Sequence, residues 1–182
     1  EKQVDFFRDN PDCLLTSGGI VRASEAGKEI SRILNPESDK EIRESMLSSC
    51  LIVPSGAMFK RSAWETIGGF NETSDLSEDW ELFLEIGKLG TMHNFPDYFT
   101  GYLQGEQNRS NFNRRENLKY NISLIKKYNN AYPNFKKAYM INICYYLYSF
   151  IPFNYILLGI DSQIKRVIFG NPVDVGNRRD YE

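Results

Sequence analysis

The stretch SEDWELFLEIGKLG, residues 77–90, predicts an amphipathic helix with an acidic start. Ser77 is a favoured N-cap residue, acidic side chains suit the positive end of the helix dipole, and Gly90 is a common helix stop. Four residues at the spacing i, i+3, i+4, i+7 share one face of the helix, and this face should pack inward. This face comprises Asp79, Leu82, Phe83 and Ile86. Glu78 and Glu81 fall on other faces of the predicted helix.

The two carboxylates at the start of this helix allow two interpretations. Favourable electrostatics at the helix start would alone account for Glu78 and Asp79, without any function. Alternatively, Asp79 lies at the rim of the core, next to a glycine-rich loop, which is a suitable position for a general base. The local pattern leaves both interpretations open.

Strand and helix patterns alternate around this segment, which predicts an α/β fold with a small mixed sheet. Short helices are predicted at residues 1–9 and 61–67, the second ended by a glycine pair. Residues 25–44 are polar and predict a surface loop with short helical pieces, and the chain beyond residue 113 predicts helices. The predicted strands are CLLTSGGIVR (13–22), which runs into a glycine turn, the apolar stretch SSCLIVPSGAMFKR (48–61), and TMHNF (91–95) and DYFTGYL (97–103), which Pro96 separates.

Charge and cysteine content narrow the class of protein. The 182-residue chain has a formal net charge of −2, which argues against a nucleic-acid partner. The charge is uneven, because residues 1–112 hold 11 Lys/Arg and 19 Asp/Glu (−8), whereas residues 113–182 hold 11 and 5 (+6). Three dispersed cysteines without metal or disulfide spacing indicate a reducing compartment. The single histidine, His93, disfavours a catalytic triad or zinc site and is expected in a strand.

Several residues of the segment SSCLIVPSGAMFKRSAWETIGGFNETSDLSEDWELFLEIGKLG (48–90) together resemble glycosyltransferase family 2. The family pattern is a strand with small residues, an "MF+R" motif, an apolar helix, "GGF", and an acidic "ED" before an aromatic helix. Each part occurs here in that order, as Met58-Phe59-Lys60-Arg61, Trp64, Gly68-Gly69-Phe70 and Glu78-Asp79-Trp80. The resemblance extends less tightly over residues 1–112, and it implies a GT-A fold and an inverting mechanism.

The resemblance also implies roles for individual residues. Asp79 corresponds to the carboxylate that removes a proton from the acceptor hydroxyl, whose oxygen then attacks the anomeric carbon of a nucleotide sugar. Glu78 would orient the loop or an acceptor group. The substrate-binding positions carried over from the family are Met58, Gly68, Gly69, Phe70 and Trp80. Two of these roles have alternatives, because the glycine pair also suits a helix C-cap and Trp80 also suits packing against the sheet.

The chain departs from the family pattern in two places. It contains no Asp-x-Asp, the motif that in the family binds the divalent metal, Mg²⁺ or Mn²⁺, which carries the donor diphosphate. We therefore expect either that the nucleotide-binding half lies outside this chain, or that the protein is an inactive relative. Where the family often has Tyr-Arg-x-His, this chain has Tyr102-Leu103-Gln104-Gly105. Glu106 is a candidate oxygen ligand in place of that histidine, with a plain surface role as the alternative.

Together these features predict two parts and one leading function. Residues 1–112 would be the acceptor-side part of a GT-A domain, and residues 113–182 a helical, basic, aromatic-rich extension. The opening residues suit a helix already under way, so we expect the chain to begin inside a longer protein and to be inactive alone. That protein would take a nucleotide-sugar donor and a glycan or lipid-linked acceptor, as in cell-surface polysaccharide synthesis. The alternative is a non-catalytic carbohydrate-binding or membrane-associated scaffold.

The C-terminal part contains a long uncharged stretch. Residues 138–160 hold no charged side chain and lie between Lys136-Lys137 and Lys165-Arg166. Their length permits a membrane span, but their tyrosines and Pro152 suit two helices at a membrane interface better. Three interpretations stand: a span, contact of residues 136–168 with an anionic membrane surface, and an amphipathic cover on the globular part. We expect a cytoplasmic protein, which would be peripheral at the inner face of the cell membrane under the second interpretation.

Overall fold

The computed structural model describes residues 1–73, 76–104 and 114–150. Within these ranges the chain is an α/β protein with six α-helices, four strands and one short 3-10 helix, Pro54–Gly56. The helices are α1 (Lys2–Asp9), α2 (Asp39–Met46), α3 (Arg61–Ile67), α4 (Glu78–Leu89), α5 (Arg114–Lys127) and α6 (Phe135–Tyr148). The strands are β1 (Cys13–Ser24), β2 (Glu29–Ile33), β3 (Met58–Phe59) and β4 (Thr91–Gln104). The predicted α/β class and small mixed sheet are confirmed.

β1 is the central strand of the sheet. β4 runs parallel to β1 along its whole length, from Cys13 to Ser24. Two short strands pair with β1 in the antiparallel direction, β3 at Leu15 and β2 from Ile20 onward. Because a strand has only two edges, β2 and β3 share one edge of β1 and β4 occupies the other. β1 therefore pairs with each of the three remaining strands of the described sheet.

The glycine pair in β1 does not form the turn that the sequence predicts. Gly18 and Gly19 lie inside a continuous strand of 12 residues. A Cβ on Gly19 would lie 2.5 Å from Leu34 Cδ2 and 2.9 Å from the carbonyl oxygen of Ile33. A Cβ on Gly18 would lie 2.6 Å from Cδ2 of Phe99. Neighbouring segments of the same chain approach β1 closely at these positions. Only glycine leaves room for them, which explains the pair.

The two strands predicted on either side of Pro96 are one continuous strand, β4. Asn94 lies opposite Ser17 and Tyr98 lies opposite Gly19, so β4 advances by four residues while β1 advances by two. Pro96 falls within this bulge, where its missing N–H removes no regular ladder hydrogen bond. The bulge therefore allows β4 to continue through an internal proline.

Two further segments differ from the sequence predictions. The polar segment predicted as a surface loop with short helical pieces contains the helix α2, as predicted, but also the strand β2. α2 begins with a capping box in which Ser38 and Glu41 bond to each other's backbone N–H. The apolar segment before α3 is predicted as a buried strand, but only Met58–Phe59 pairs with the sheet. Ile52 and Val53 are buried nonetheless. Their apolar character reflects packing in the core without strand pairing.

The predicted helices are confirmed where the structure describes them. Those predicted at residues 1–9, 61–67 and 78–89 are α1, α3 and α4, and the helical prediction beyond residue 113 is met by α5 and α6. His93 is a strand residue of β4, as predicted. Among the described helices, none has the length and apolar content needed to cross a membrane. The prediction of helices meeting near Pro152 falls outside the described residues.

α4 supplies the centre of the hydrophobic core. It packs against β1 and α3, and α5 covers it. Full burial of an aliphatic or aromatic side chain stabilises a fold by about 1.5–3 kcal/mol, so this helix is a major contributor to stability. The main members of the cluster are Leu82, Phe83, Leu84 and Ile86 of α4, Ile42 and Met46 of α2, Leu124 and Ile125 of α5, and Leu15 and Met92 of the sheet.

Gly19→Ala is expected to destabilise the protein, because the added Cβ would overlap the backbone carbonyl of Ile33. Overpacking of this kind costs about 1–3 kcal/mol. Gly101→Ala is the matched control on β4, since a Cβ there meets no atom within 4 Å. Urea unfolding followed by circular dichroism measures both variants. Equal destabilisation by the two substitutions would contradict the close-approach explanation.

Candidate functional site

The first turn of α4 carries the two predicted catalytic carboxylates. Glu78 and Asp79 are the first two residues of the helix, and both are partly buried. Ser77 occupies the predicted N-cap position, but its φ of 49° is left-handed and its side chain makes no capping hydrogen bond. Its Oγ instead donates to Asn121 Oδ1 of α5 at 2.6 Å. The start of α4 is therefore tied to α5, not capped by its own side chain.

Asp79 lies close enough to Cys50 to influence it electrostatically. Burial raises the pKa of the Cys50 thiol to about 12, and the negative charge of Asp79 contributes to the increase. The thiol donates to the carbonyl oxygen of Ile52 at 3.3 Å. Cys50 is therefore a neutral thiol at neutral pH, and it adds no charge beside Asp79. The partial burial of Asp79 agrees with its predicted position at the rim of the core.

Glu81 is the buried carboxylate of this region, which the helical pattern does not predict. The pattern places it outside the inward face, whereas it is only 4% exposed. Its Oε2 accepts hydrogen bonds from Asn71 Nδ2 at 3.0 Å and from the Tyr120 hydroxyl at 2.7 Å. Its Oε1 accepts from Lys127 Nζ at 2.7 Å. The Tyr128 hydroxyl lies 3.5 Å from this oxygen but donates its single proton to Glu85 Oε1 at 2.6 Å. Two of the three donors to Glu81 come from α5, so α5 makes the burial of Glu81 feasible.

These hydrogen bonds keep Glu81 ionised. Burial by itself would raise the pKa of Glu81, but the hydrogen bonds from Lys127, Asn71 and Tyr120 together outweigh burial and hold that pKa below its usual value. The pKa of Lys127 is raised in turn, mainly by its hydrogen bond to Glu81. The side chain of Lys127 is about half exposed. The ion pair therefore joins a buried carboxylate to a cation that water still reaches.

Glu81 also fixes the loop that precedes α4. Asn71 donates to Glu81, and its own Oδ1 accepts from the backbone N–H of Thr73 at 3.0 Å and from the Thr73 hydroxyl at 2.6 Å. This Asx-type turn follows the GGF stretch directly. The loop is therefore attached to α4 only two residues beyond Asp79.

The GGF stretch closes α3. Gly68 is the C-cap with a φ of 83°, and Gly69 follows with a φ of 84°, so both adopt the left-handed conformation that favours glycine. A Cβ on Gly69 would lie 2.9 Å from Cζ2 of Trp64. Phe70 is exposed. The C-cap role is confirmed for Gly68, and substrate contact by the three residues stays a prediction.

The remaining predicted substrate-binding residues differ in accessibility. Trp80 is 5% exposed, and its Nε1 donates to the carbonyl oxygen of Met46 at 2.9 Å. Its ring therefore belongs to the core and offers no open face to a sugar, which corrects the stacking role in favour of packing. Met58 is half-buried in β3, opposite Thr16. Glu106 lies outside the described residues.

The divalent metal implied by the family pattern has no grouped ligands in the described ranges. There, no three His, Cys, Asp or Glu side chains come close enough together to hold an ion. Glu81, the buried carboxylate of α4, is engaged with nitrogen and hydroxyl donors.

No family model matches this chain, and no curated protein matches it.

Glu81→Gln is expected to lower the free energy of unfolding by about 2–4 kcal/mol. The substitution removes a buried charge that accepts hydrogen bonds from three donors and presents an amide N–H₂ to some of them. Glu65→Gln is the control, because its ion pair with Arg61 is exposed and contributes little. Chemical unfolding compares the two. A loss below about 0.5 kcal/mol in both would contradict a structural role for Glu81.

The stability of the protein is expected to fall in acid partly through Glu81. Because its pKa is lower in the folded state, its contribution is present above the unfolded value of about 4.3 and is lost as pH falls through the folded value. The stability difference between wild type and Glu81→Gln should therefore be constant near neutral pH and shrink as pH falls below the unfolded pKa of about 4.3. Unfolding measured from neutral to acid pH tests the linkage, and a difference that stays constant throughout would refute it.

Proposed function

We propose that this chain supplies the acceptor side of an inverting, family 2-like glycosyltransferase. The observation that carries the proposal is the attachment of the GGF loop to α4. Asn71, directly after the GGF stretch, donates to Glu81 of α4, and Asp79 is a partly buried residue in the first turn of the same helix. The ordered family-like motifs in the sequence and this attachment support the same site.

In the proposed reaction, Asp79 acts as the general base. Its carboxylate takes the proton from an acceptor hydroxyl as the oxygen forms a bond to the anomeric carbon of the donor sugar. The bond from that carbon to the diphosphate breaks, and the nucleoside diphosphate leaves with the electron pair. One displacement inverts the anomeric configuration, so one base suffices, in contrast to the two carboxylates of a retaining glycosidase.

Neighbouring residues position the acceptor in this proposal. Glu78 precedes Asp79 in the same turn and orients the loop or an acceptor hydroxyl. Gly68 and Gly69 have no side chain to obstruct a sugar near their backbone, and exposed Phe70 offers an apolar surface beside them. Glu81 has all its described oxygen bonds within the protein and therefore serves as a positioning residue, not as a base.

The donor and its metal belong to the remainder of the proposed machinery. The family resemblance assigns the diphosphate and its Mg²⁺ or Mn²⁺ to an Asp-x-Asp motif, which this sequence lacks. The donor half would then be supplied by a longer protein that contains this chain. By the same resemblance, the acceptor is a glycan or a lipid-linked glycan, and a non-catalytic carbohydrate-binding role is the competing function.

Asp79→Asn, in the longer protein that contains this chain, is expected to lower kcat by at least about 100-fold, because general-base catalysis is lost. Donor binding, measured by calorimetry with the nucleotide sugar, should change little. Glu72→Gln is the control, since Glu72 is exposed in the same loop and has no assigned role.

Thermal unfolding of both variants should match that of wild type, so that a lost kcat reports chemistry. Unchanged turnover in Asp79→Asn would remove Asp79 from the mechanism. Carbohydrate binding by the longer wild-type protein, without any transfer from a panel of nucleotide sugars, would instead support the carbohydrate-binding function.

A further inference from the structure

α6 has two faces of different character. Its inward face follows the spacing i, i+3, i+4, i+7 and comprises Phe135, Ala138, Tyr139 and Asn142. Asn142 also donates to the Ser48 carbonyl oxygen at 3.1 Å, which attaches the helix to the globular part. On another face, Met140 and Leu147 are 66% and 61% exposed, and Phe150 follows just beyond the helix at 50%. We call these three side chains the apolar stripe.

The apolar stripe lies between two groups of basic residues. Lys136 and Lys137 open α6 at one end. At the other end, Arg115 donates to the Ser149 carbonyl oxygen at 3.2 Å, and its guanidinium lies 4.5 Å from the centroid of the Phe150 ring. A hollow of about 330 Å³ opens at this end, lined by Arg114, Arg115, Glu116 and Ser149. Arginine side chains are frequent partners of phosphate groups.

The segment that contains α5 and α6 carries a strong excess of positive charge. Residues 114–150 hold seven Lys/Arg and one Asp/Glu, a net charge of +6. A large exposed apolar surface flanked by basic side chains is the pattern of a helix that lies in the interface of an anionic bilayer. Each Lys or Arg near such a surface adds to the attraction.

We propose that the apolar stripe and its basic flanks form a docking surface for a membrane containing anionic lipids. α6 has 14 residues and is about 21 Å long, shorter than the hydrocarbon core of about 30 Å, so it would lie along the surface. Met140, Leu147 and Phe150 enter the acyl boundary while the basic groups contact lipid phosphates. This inference goes beyond the proposed transfer reaction and does not depend on it.

A bilayer fits this surface better than the other occupants that could cover it. A second copy of the chain would bring one set of basic flanks against another, and like charges oppose such a dimer. Residues 151–182 hold four Lys/Arg and four Asp/Glu, so their net charge of zero does not complement the surface either. An anionic bilayer offers both the apolar interior and the opposite charge.

Sedimentation of the full chain with vesicles tests the proposal. Binding is expected to phosphatidylcholine vesicles that contain phosphatidylglycerol, to weaken as salt rises, and to be at least tenfold weaker with phosphatidylcholine alone. Met140→Gln with Leu147→Gln should lower the partition coefficient by at least about tenfold. Leu103→Gln is the matched control, because Leu103 is also 61% exposed but lies on β4. It should bind as wild type does.

Two charge-reversal variants provide an independent test. Lys136→Glu with Lys137→Glu should lower binding by at least about tenfold, while Lys28→Glu with Lys40→Glu, which changes the same charge elsewhere on the surface, should have a small effect. Absence of wild-type binding at low salt would overturn the proposal, and so would equal losses in the Met140→Gln, Leu147→Gln variant and in Leu103→Gln. A drop in thermal midpoint for the stripe variant with unchanged vesicle binding would also overturn it, because protein would then cover the stripe.

Discussion

A buried, ionised carboxylate is the interaction on which the arrangement around α4 depends. Glu81 accepts hydrogen bonds from the loop just before α4 and from α5, which follows β4, so one side chain joins three segments of the chain. A buried charge is tolerated only when donors surround it, and here the donors come from those segments. The position of the GGF loop relative to the start of α4 is therefore linked to the docking of α5.

The sheet and the core provide the rigid support for that interaction. β1 contacts β4 on one edge and β2 and β3 on the other, and α4 packs against it. Two glycines allow neighbouring chain to approach β1 closely, and a bulge accommodates Pro96 in β4. The proposed base is thus placed on a helix that is buried on several sides, which restricts its movement.

Local signals in the sequence are sufficient to predict α3 and α4. The features that the sequence predictions miss depend on long-range contacts. Residue spacing and glycine stops predict both helices with their observed bounds. The Gly18-Gly19 pair is read as a turn because Leu34 and Phe99, which crowd it, lie far along the chain. The burial of Glu81 depends on partners 39 and 46 residues away. Tyr120 and Lys127 are seven residues apart on one helical face, a signal that is visible only once a partner carboxylate is sought.

The left-handed Ser77 has a consequence for how α4 enters the fold. A non-glycine residue at a φ of 49° is strained by its own Cβ, and it persists here with its hydroxyl bonded to Asn121. The angle at which the acidic turn leaves the preceding loop is therefore set from outside, by a helix that arrives later in the chain. Mechanical load on α5 would therefore reach the backbone that orients Asp79 through this hydroxyl, in addition to the hydrogen bonds that α5 donates to Glu81.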